Sequence, residues 1–352
     1  MKKWEEYIRK VTPYVPGEQP KNTDVIKLNT NECPYPPSPA VKEVIHNINS
    51  DKYRLYPDPD ATFLCGAIAD YYNVDSDRVF VGVGSDDVIA MAFMTFFNSD
   101  KPILFPDITY SFYDVWADLF KIPYETVRVD DDFKIIKESF DRENGGIIFP
   151  NPNAPTAIGM PLEEVEYIIK NNQDSVVIVD EAYVDFSDCT AMDLIDKYDN
   201  LLVIQTYSKS RAMAGMRIGF AIGNKKLIDA MKAVKFSYNS YTMNMPSIYA
   251  GAAAINDKEY FEEIRDKIVN TRTKAMEKLK ELGFSMTDSK TNFLFVTHKT
   301  RPAKEIFEAL KEKNIYVRYF NKDRIDNYLR ITVGTDAQMQ ALYFALEKIL
   351  GK

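Results

Sequence analysis

Apolar residues fall along this chain in short unbroken runs that alternate with stretches of helical period. From residue 79 the runs VFVGVG, PILF, GIIF, SVVIV, LLVIQT and MRIGFAI appear, and SDDVIAMAFMTFF, YSFYDVWADLF, PLEEVEYIIKNN, TAMDLIDKY and KKLIDAMKAV lie between or after them. Runs that are apolar throughout, rather than alternating, belong to strands buried on both faces, so the pattern predicts an α/β fold with a mostly parallel sheet covered by helices. Upstream, SPAVKEVIHNI offers a cap at Ser38, Pro39 at the first helical position, and Val41, Ile45 and Ile48 on one face. Beyond residue 246, SIYAGAAAI leads into the charged amphipathic stretch KEYFEEIRDKIVNTRTKAMEKLKELG, with Gly283 as its stop. NFLFVT, PAKEIFEALKEKN, IYVRYF, YLRITVG and DAQMQALYFALEKIL then make a smaller α/β layer. The predicted organisation is an N-terminal arm over 1–30, packed on the site and on the small unit, a large domain over 31–245, and a small domain over 246–352.

The chain has 352 residues, 45% of them hydrophobic and 27% charged, the composition of a globular protein of about two domains rather than a disordered tail or a membrane bundle. Lys and Arg number 44 against 52 Asp and Glu, and the net charge of −8 argues against generic attraction to nucleic acid or an anionic membrane. Cys33, Cys65 and Cys189 suit neither a disulfide framework nor a zinc site, and MKKWEEYIRK lacks the apolar core of a secretory signal, so a cytoplasmic location is expected. Histidine is scarcest: His46 sits in a helical pattern and His298 at a strand end. Ser/His/Asp or Cys/His nucleophiles and His-based metal sites are therefore disfavoured, and chemistry must use Lys, Tyr, Asp, Arg or a cofactor.

Ligands of open α/β sheets sit at the carboxyl ends of the strands. At the exit VFVGVGSDD, Gly82 and Gly84 allow a tight turn, and Ser85 and Asp86 open a helix whose N–H groups can hold a phosphate, although Asp87 stands where a dinucleotide fingerprint requires Gly. Taken alone this reads as an ordinary strand-to-helix turn. FPNPNAPT presents the Asn153 amide between prolines, or is simply a rigid loop. In VVIVDEAYVDF, Asp180 leaves an apolar strand with Tyr183 three residues on, either a helix cap or a carboxylate awaiting a cation. LLVIQTYSKSRAMAGMRIGF carries Ser208, Lys209 and Arg217; a lone lysine is ordinarily a solvated surface residue.

Taken together these residues match one cofactor. Pyridoxal 5′-phosphate needs a lysine for its aldehyde, an acid for its pyridinium nitrogen, and donors for its phosphate. Lys209, Asp180, and the group Gly84, Ser85, Ser208 and Arg217 meet those needs in turn. Asn153 and Tyr183 can hydrogen-bond the ring oxygen, and Tyr110 can lie flat on the ring.

On these motifs the chain resembles the fold-type-I pyridoxal-phosphate enzymes, and more narrowly the histidinol-phosphate aminotransferases. PYVPGEQP, LNTNECPYPPSP, YPDP, GVGSDDVI, PNAPT, DEAYVDF, SKSRAMAGMRIGF and LRITVG carry the resemblance over nearly the whole length. It implies a large domain with a seven-stranded-type sheet, Lys209 as the cofactor's anchor, Asp180 at the ring nitrogen, Asn153 and Tyr183 at the ring oxygen, and Ser85, Asp86, Ser208 and Arg217 at the phosphate. It further implies that Tyr56 reaches the cofactor phosphate of a partner subunit, hence a homodimer with shared sites. Arg330 would grip the substrate's acidic group, with Tyr14 at the substrate's phosphate end and Tyr238 and Asn239 reaching in from the partner. The reaction implied moves an amino group from histidinol phosphate to a 2-oxo acid such as 2-oxoglutarate. A threonine-phosphate decarboxylase, an aromatic amino acid aminotransferase and a catalytically silent binding protein are the alternatives. The chain departs from the family pattern at Ala157, usually Gly, and at Ser210 and Arg211, usually Ala-Phe.

Overall fold

The computed structural model describes residues 2–21 and 24–351, so Met1, Asn22 and Thr23 of the predicted arm lie outside it. The chain runs β1 (Ile26–Lys27), α1 (Pro39–Asn47), α2 (Thr62–Tyr72), β2 (Val79–Gly82), α3 (Ser85–Phe96), β3 (Ile103–Pro106), α4 (Tyr113–Phe120), β4 (Tyr124–Val127) and β5 (Gly146–Pro150). It continues through α5 (Leu162–Asn171), β6 (Val177–Asp180), β7 (Leu201–Thr206), β8 (Gly219–Gly223), α6 (Lys225–Tyr238), α7 (Met245–Asn256) and α8 (Lys258–Leu282). The last part holds β9 (Phe284–Met286), β10 (Phe293–His298), α9 (Ala303–Glu312), β11 (Ile315–Tyr316), β12 (Arg318–Tyr319), β13 (Leu329–Thr332) and α10 (Asp336–Leu350).

Among the described residues seven strands form the central sheet, in the order β2-β8-β7-β6-β5-β3-β4. Strand β8 is antiparallel to both neighbours and the remaining pairs are parallel. Because successive side chains point to opposite faces, the apolar runs divide by parity. Val177, Val179, Leu201 and Val203 face the core shared with α1, α2, α5 and α7, whereas Ile178, Leu202 and Ile204 face α3, α4 and α6. The same parity sends Asp180 toward α4 and its neighbour Glu181 to the opposite face.

The second sheet, β12-β13-β10-β9, is antiparallel. Leu294, Val296, Leu329 and Ile331 pack with residues of α8, α9 and α10, and Leu28 of the arm joins them. Phe293 and Phe295 face the other way, into a core shared with Tyr183 and Ile108 of the large layer. Arg330 pairs with Phe295 on one side and Arg318 on the other, so both arginines lie on this inward face. Helix α8 ends at Gly283 with φ 97°, as its sequence predicts. Helix α7 contributes Ile248, Ala250, Ala252 and Ile255 to the core of the large sheet.

Three elements differ from the sequence reading. TAMDLIDKY, read as a helical stretch, forms only a 3-10 turn over Ala191–Leu194, where Glu181 takes the Ala191 N–H at 2.6 Å and the Thr190 hydroxyl at 2.8 Å and fixes the crossover there. Tyr124–Val127 is a strand without an apolar run, because it lies at the edge of the sheet with three of its four residues exposed. IYVRYF is two strands: Ile315–Tyr316 pairs with the arm and Arg318–Tyr319 with β13.

Candidate active site

A cavity of about 180 Å³ opens at the carboxyl ends of β5, β6 and β7 and is lined by Ser85, Asp86, Tyr110, Asp180, Tyr183, Thr206, Ser208, Lys209 and Arg217. A wider cavity of about 480 Å³ shares Asp86, Tyr110, Tyr183, Lys209 and Arg217 and adds Tyr14, Asn29, Asn31, Arg318 and Arg330. Most of the predicted residues therefore meet in one place, although they span the chain from residue 14 to residue 330. His46 is exposed on α1, and His298 is buried against the Leu282 carbonyl at 3.2 Å; neither lines these cavities.

Asp180 is 4% exposed and accepts from the Tyr113 hydroxyl at 2.7 Å and the Ala182 N–H at 3.2 Å. Burial pushes its carboxyl up to about 6, and these two hydrogen bonds only partly oppose the shift. A buried carboxylate in this state is stabilised by an arriving cation, so a protonated ring nitrogen suits it. Glu181, also buried, is pushed up to about 7 but accepts from Thr190, Ala191 N–H and Gln205 in a closed interior. Of these two carboxyl groups, Asp180 is the one that lines the cavity.

Lys209 Nζ donates to the Thr30 carbonyl at 3.3 Å and lies 5.8 Å from the Tyr183 ring centre. That carbonyl belongs to the LNTNE segment, which crosses the cavity mouth. Asn31, with φ 57° and its side chain buried, donates to the Tyr183 hydroxyl at 2.9 Å, and Thr332 Oγ1 donates to the Asn31 side-chain oxygen Oδ1 at 3.1 Å. Tyr183 is thereby oriented from the arm and the small unit together.

The end of the cavity at the α3 N-terminus is shaped by missing side chains. Gly84 caps α3 with φ 89°, and a Cβ there would lie 2.4 Å from Arg217 Nη2. A Cβ on Gly219 would lie 2.3 Å from Ser85 N, so both glycines are needed for Arg217 and the α3 N-terminus to share one cradle. Arg217 lies 3.5 Å from Asp86, whose other oxygen accepts from Tyr110 at 2.8 Å.

At the other end, Arg330 is partly buried and donates to the Asn29 carbonyl at 2.9 Å. Burial lowers its affinity for the proton. Its Nε has no partner, nor have Asn29 Oδ1, Thr30 Oγ1 and Asn292 Oδ1 nearby in the arm and the small sheet. Neither Arg318 nor Arg330 has a carboxylate within ion-pair distance among the described residues. Two arginines directly opposite on neighbouring strands repel, and an anion between them relieves that repulsion.

Four predicted residues lie elsewhere. The Asn153 amide is committed to its loop, donating to Ile108 O at 2.9 Å and Thr156 Oγ1 at 3.0 Å and accepting from Thr109 at 3.1 Å. It lines a separate cavity behind that loop. Tyr56 is 81% exposed and stacks on Tyr241 at 4.5 Å, and Tyr238 is 70% exposed at the end of α6, with Asn239 exposed beside it. Sequence reasoning missed Tyr113, Asn31 and Arg318. Tyr113 had a signal, since it lies three residues after Tyr110; Asn31 lay in a quoted motif without a role, and Arg318 in a run read only for its strand.

The family of aminotransferases of class I and II matches residues 23–346. The chain belongs to this family. Within it, the aminotransferase is 52% identical over 347 residues to histidinol-phosphate aminotransferase 1 of Hydrogenovibrio crunogenus, covering 99% of this chain and 98% of that one. It is 50% identical over 349 residues to the histidinol-phosphate aminotransferase of Clostridium beijerinckii, covering 99% and 98%. Its fold is shared with the Sinorhizobium meliloti histidinol-phosphate aminotransferase, solved in complex with pyridoxal-5′-phosphate, at a TM-score of 0.85 and 23% identity over 93% of this chain and 91% of that one. No helix of the described part of the aminotransferase is long and apolar enough to cross a membrane.

Proposed function

We propose that this aminotransferase uses pyridoxal 5′-phosphate to move the amino group of histidinol phosphate to a 2-oxo acid. The observation that carries the reading is the alignment, in two cavities that meet at Lys209 and Tyr183, of an amine at Lys209, a buried carboxylate at Asp180, and a donor-only wall at Arg318 and Arg330. The cofactor supplies an aldehyde for amine exchange and a protonated ring that takes up the electron pair left when the α proton departs. Asp180 Oδ1 or Oδ2 would hold the proton on the ring nitrogen, with Tyr113 fixing the carboxylate. Lys209 Nζ would hold the aldehyde carbon and, once displaced by the substrate amine, move the α proton, a contribution typically of roughly 10² to 10⁴ in rate. Tyr183 would donate to the ring oxygen, Tyr110 would cover the ring, and Ser85, Asp86, Ser208 and Arg217 would hold its phosphate, the first two through backbone N–H. Asn153 would reach the ring oxygen only by exchanging one of its present bonds, so we assign it first to holding the loop.

Arg318 and Arg330, with Tyr14 stacked on Phe112 at 4.2 Å, would hold the substrate phosphate, and Arg330 would also take the carboxylate of the 2-oxo acid. Any phosphate ester of similar size suits these arginines, so threonine phosphate is the second reading. Exposed Tyr53, Leu55, Tyr56, Phe63, Tyr241 and Tyr249 support a homodimer in which Tyr56, Tyr238 and Asn239 approach the partner's site. Helix α7 packs with the large sheet, which supports a boundary near Asp257 in place of residue 246, and the three free cysteines fit the reading of a cytoplasmic location. The test is turnover of histidinol phosphate, threonine phosphate and phenylalanine with 2-oxoglutarate as acceptor. Histidinol phosphate is expected to give the highest kcat/KM; release of CO₂ from threonine phosphate, without amino exchange between glutamate and 2-oxoglutarate, would overturn the assignment.

A further inference from the structure

The small unit is fastened to the large layer at the rim of the wider cavity. Between β12 and β13 the chain makes a turn over 320–328 that opens with Phe320 in the cavity wall. In this turn Arg324 holds φ 67°, a conformation unfavourable for a residue with a Cβ, and its guanidinium reaches across to the large layer. Nη1 meets Asp107 Oδ2 at 3.0 Å, and Nη2 donates to the Val129 carbonyl at 3.0 Å and to the Asp130 carbonyl at 2.7 Å. Lys322 Nζ, from the same turn, donates to the Asp107 carbonyl at 3.1 Å. Asp107 Oδ1 accepts from the Val129 N–H at 2.9 Å, so its own layer already orients the carboxylate.

The side chains of Arg324 and Asp107 are 18% and 27% exposed, whereas the Lys290–Asp188 pair, which also joins the two units, leaves its carboxylate 78% exposed. A pair shielded on both sides is screened less than a surface pair and couples its segments more firmly. One planar guanidinium that meets a carboxylate and two carbonyls also fixes orientation, which a point charge cannot do. What the contact joins gives it a role. Asp107 stands three residues before Tyr110, and the residues between them hold the Asn153 amide, Ile108 through its carbonyl and Thr109 through its hydroxyl. On the other side, the Phe320 ring centre lies 5.7 Å from the Arg318 guanidinium and 5.8 Å from that of Arg330. Neither Asp107 nor Arg324 lines either cavity.

We propose that Arg324 is a positioning residue for substrate binding: clasped on Asp107, it holds the arginine wall of the small unit in register with Tyr110 and Lys209. An anionic group on that wall then presents the rest of the substrate to the lysine. The inference rests on the reading that Arg318 and Arg330 hold the substrate's anionic group. Opening the clasp lowers the fraction of molecules whose walls are in register, and apparent affinity falls by that fraction. Bound substrate restores the register through its own contacts, so the rate at saturation is kept.

The experiment is steady-state kinetics of the cofactor-loaded protein with histidinol phosphate and 2-oxoglutarate, for the parent, Arg324→Gln, Arg324→Lys, Asp107→Asn, the Arg324→Gln/Asp107→Asn double variant, and Arg330→Ala as reference. Arg324→Gln should raise KM for both substrates roughly tenfold and leave kcat within about twofold. Asp107→Asn, which keeps an acceptor for the Val129 N–H, should raise KM several-fold, and Arg324→Lys should lose less than Arg324→Gln. The double variant should match Arg324→Gln, because partners in one interaction do not act independently. If Arg324→Gln does not fold, the Asp107→Asn and Arg324→Lys arms decide. A lower kcat or melting temperature with unchanged KM would reduce the clasp to a structural tie and overturn the proposal, as would a double variant whose KM rises by the product of the single effects. Unchanged KM in the clasp variants, with Arg330→Ala impaired on both substrates, would overturn the clasp alone; an unimpaired Arg330→Ala would overturn the reading of the arginine wall beneath it.

Discussion

The two walls of the Lys209 cavity carry different kinds of charge. The sheet wall is mixed, with Asp180 and Asp86 set among Lys209 and Arg217, whereas the arm and the small unit line the wider cavity with Arg318 and Arg330, and Glu32 of the arm side faces the smaller cavity in an ion pair with Lys27 at 2.6 Å. A mixed wall suits a ring that is cationic at one atom and anionic at others; a wall of donors suits one anion. The difference follows from how each wall is made. Parallel strand exits deliver one polar residue each at a helix N-terminus or turn, while the antiparallel β12-β13 pair sets two side chains of one face directly opposite each other.

The strongest way to break the mixed wall is Lys209→Ala, expected to lower kcat for amino transfer by at least about 10²-fold while the melting temperature stays near that of the parent. Initial rates and a thermal melt check both halves. On the donor wall, Arg330→Ala removes a charge-assisted contact worth about 1.5–3 kcal/mol, so kcat/KM should fall roughly 10- to 100-fold for both histidinol phosphate and 2-oxoglutarate. Arg318→Ala should harm the phosphate substrate and leave the 2-oxo acid nearly unaffected. Equal losses for both substrates in Arg318→Ala would show that the two arginines are not divided in this way.

Asp180→Asn sharpens the comparison through stability. The carboxyl is held near 6 in the folded chain against 3.8 in a free one, so the native state binds the proton more tightly. Its stability therefore falls as pH rises from about 4 through about 6, by up to the order of 3 kcal/mol. Without cofactor, Asp180→Asn should melt higher than the parent at pH 7.5, with the advantage about halved at pH 5 and nearly gone at about pH 4, whereas its activity falls. Glu181, held near 7, imposes the same trend on both proteins and cancels in the difference. The smallest effect is expected from Tyr113→Phe, which removes one hydrogen bond to Asp180 worth about 1 kcal/mol and should lower kcat several-fold, most clearly at acid pH where Asp180 protonates.

The sheet was legible because its strands are buried on both faces and so spell unbroken apolar runs. Tyr124–Val127 carries no such run because it lies at the edge, and TAMDLIDKY departs from its helical pattern because a side chain, Glu181, claims the Ala191 N–H and the Thr190 hydroxyl at its start. The sheet wall was legible for a related reason: Asp180, Lys209 and Arg217 stand next to apolar runs, where a charged residue is conspicuous. The donor wall was half legible, since Arg330 lies in a recognisable motif but Arg318 meets it only through strand pairing. Asn153 shows the converse, a residue conspicuous in sequence whose amide the loop itself consumes. The direction of Arg211 was open in the sequence, and the aromatic cage of Tyr71, Tyr207 and Phe261, drawn from three separated segments, determines it.

The central claim is that Lys209 is the group to which the cofactor is joined. Reduction of the cofactor-loaded protein with borohydride, followed by proteolysis and mass spectrometry, tests it directly. A single modified peptide containing TYSKSR, with the added mass on Lys209, is the predicted result; modification of any other lysine, or none, would contradict the account.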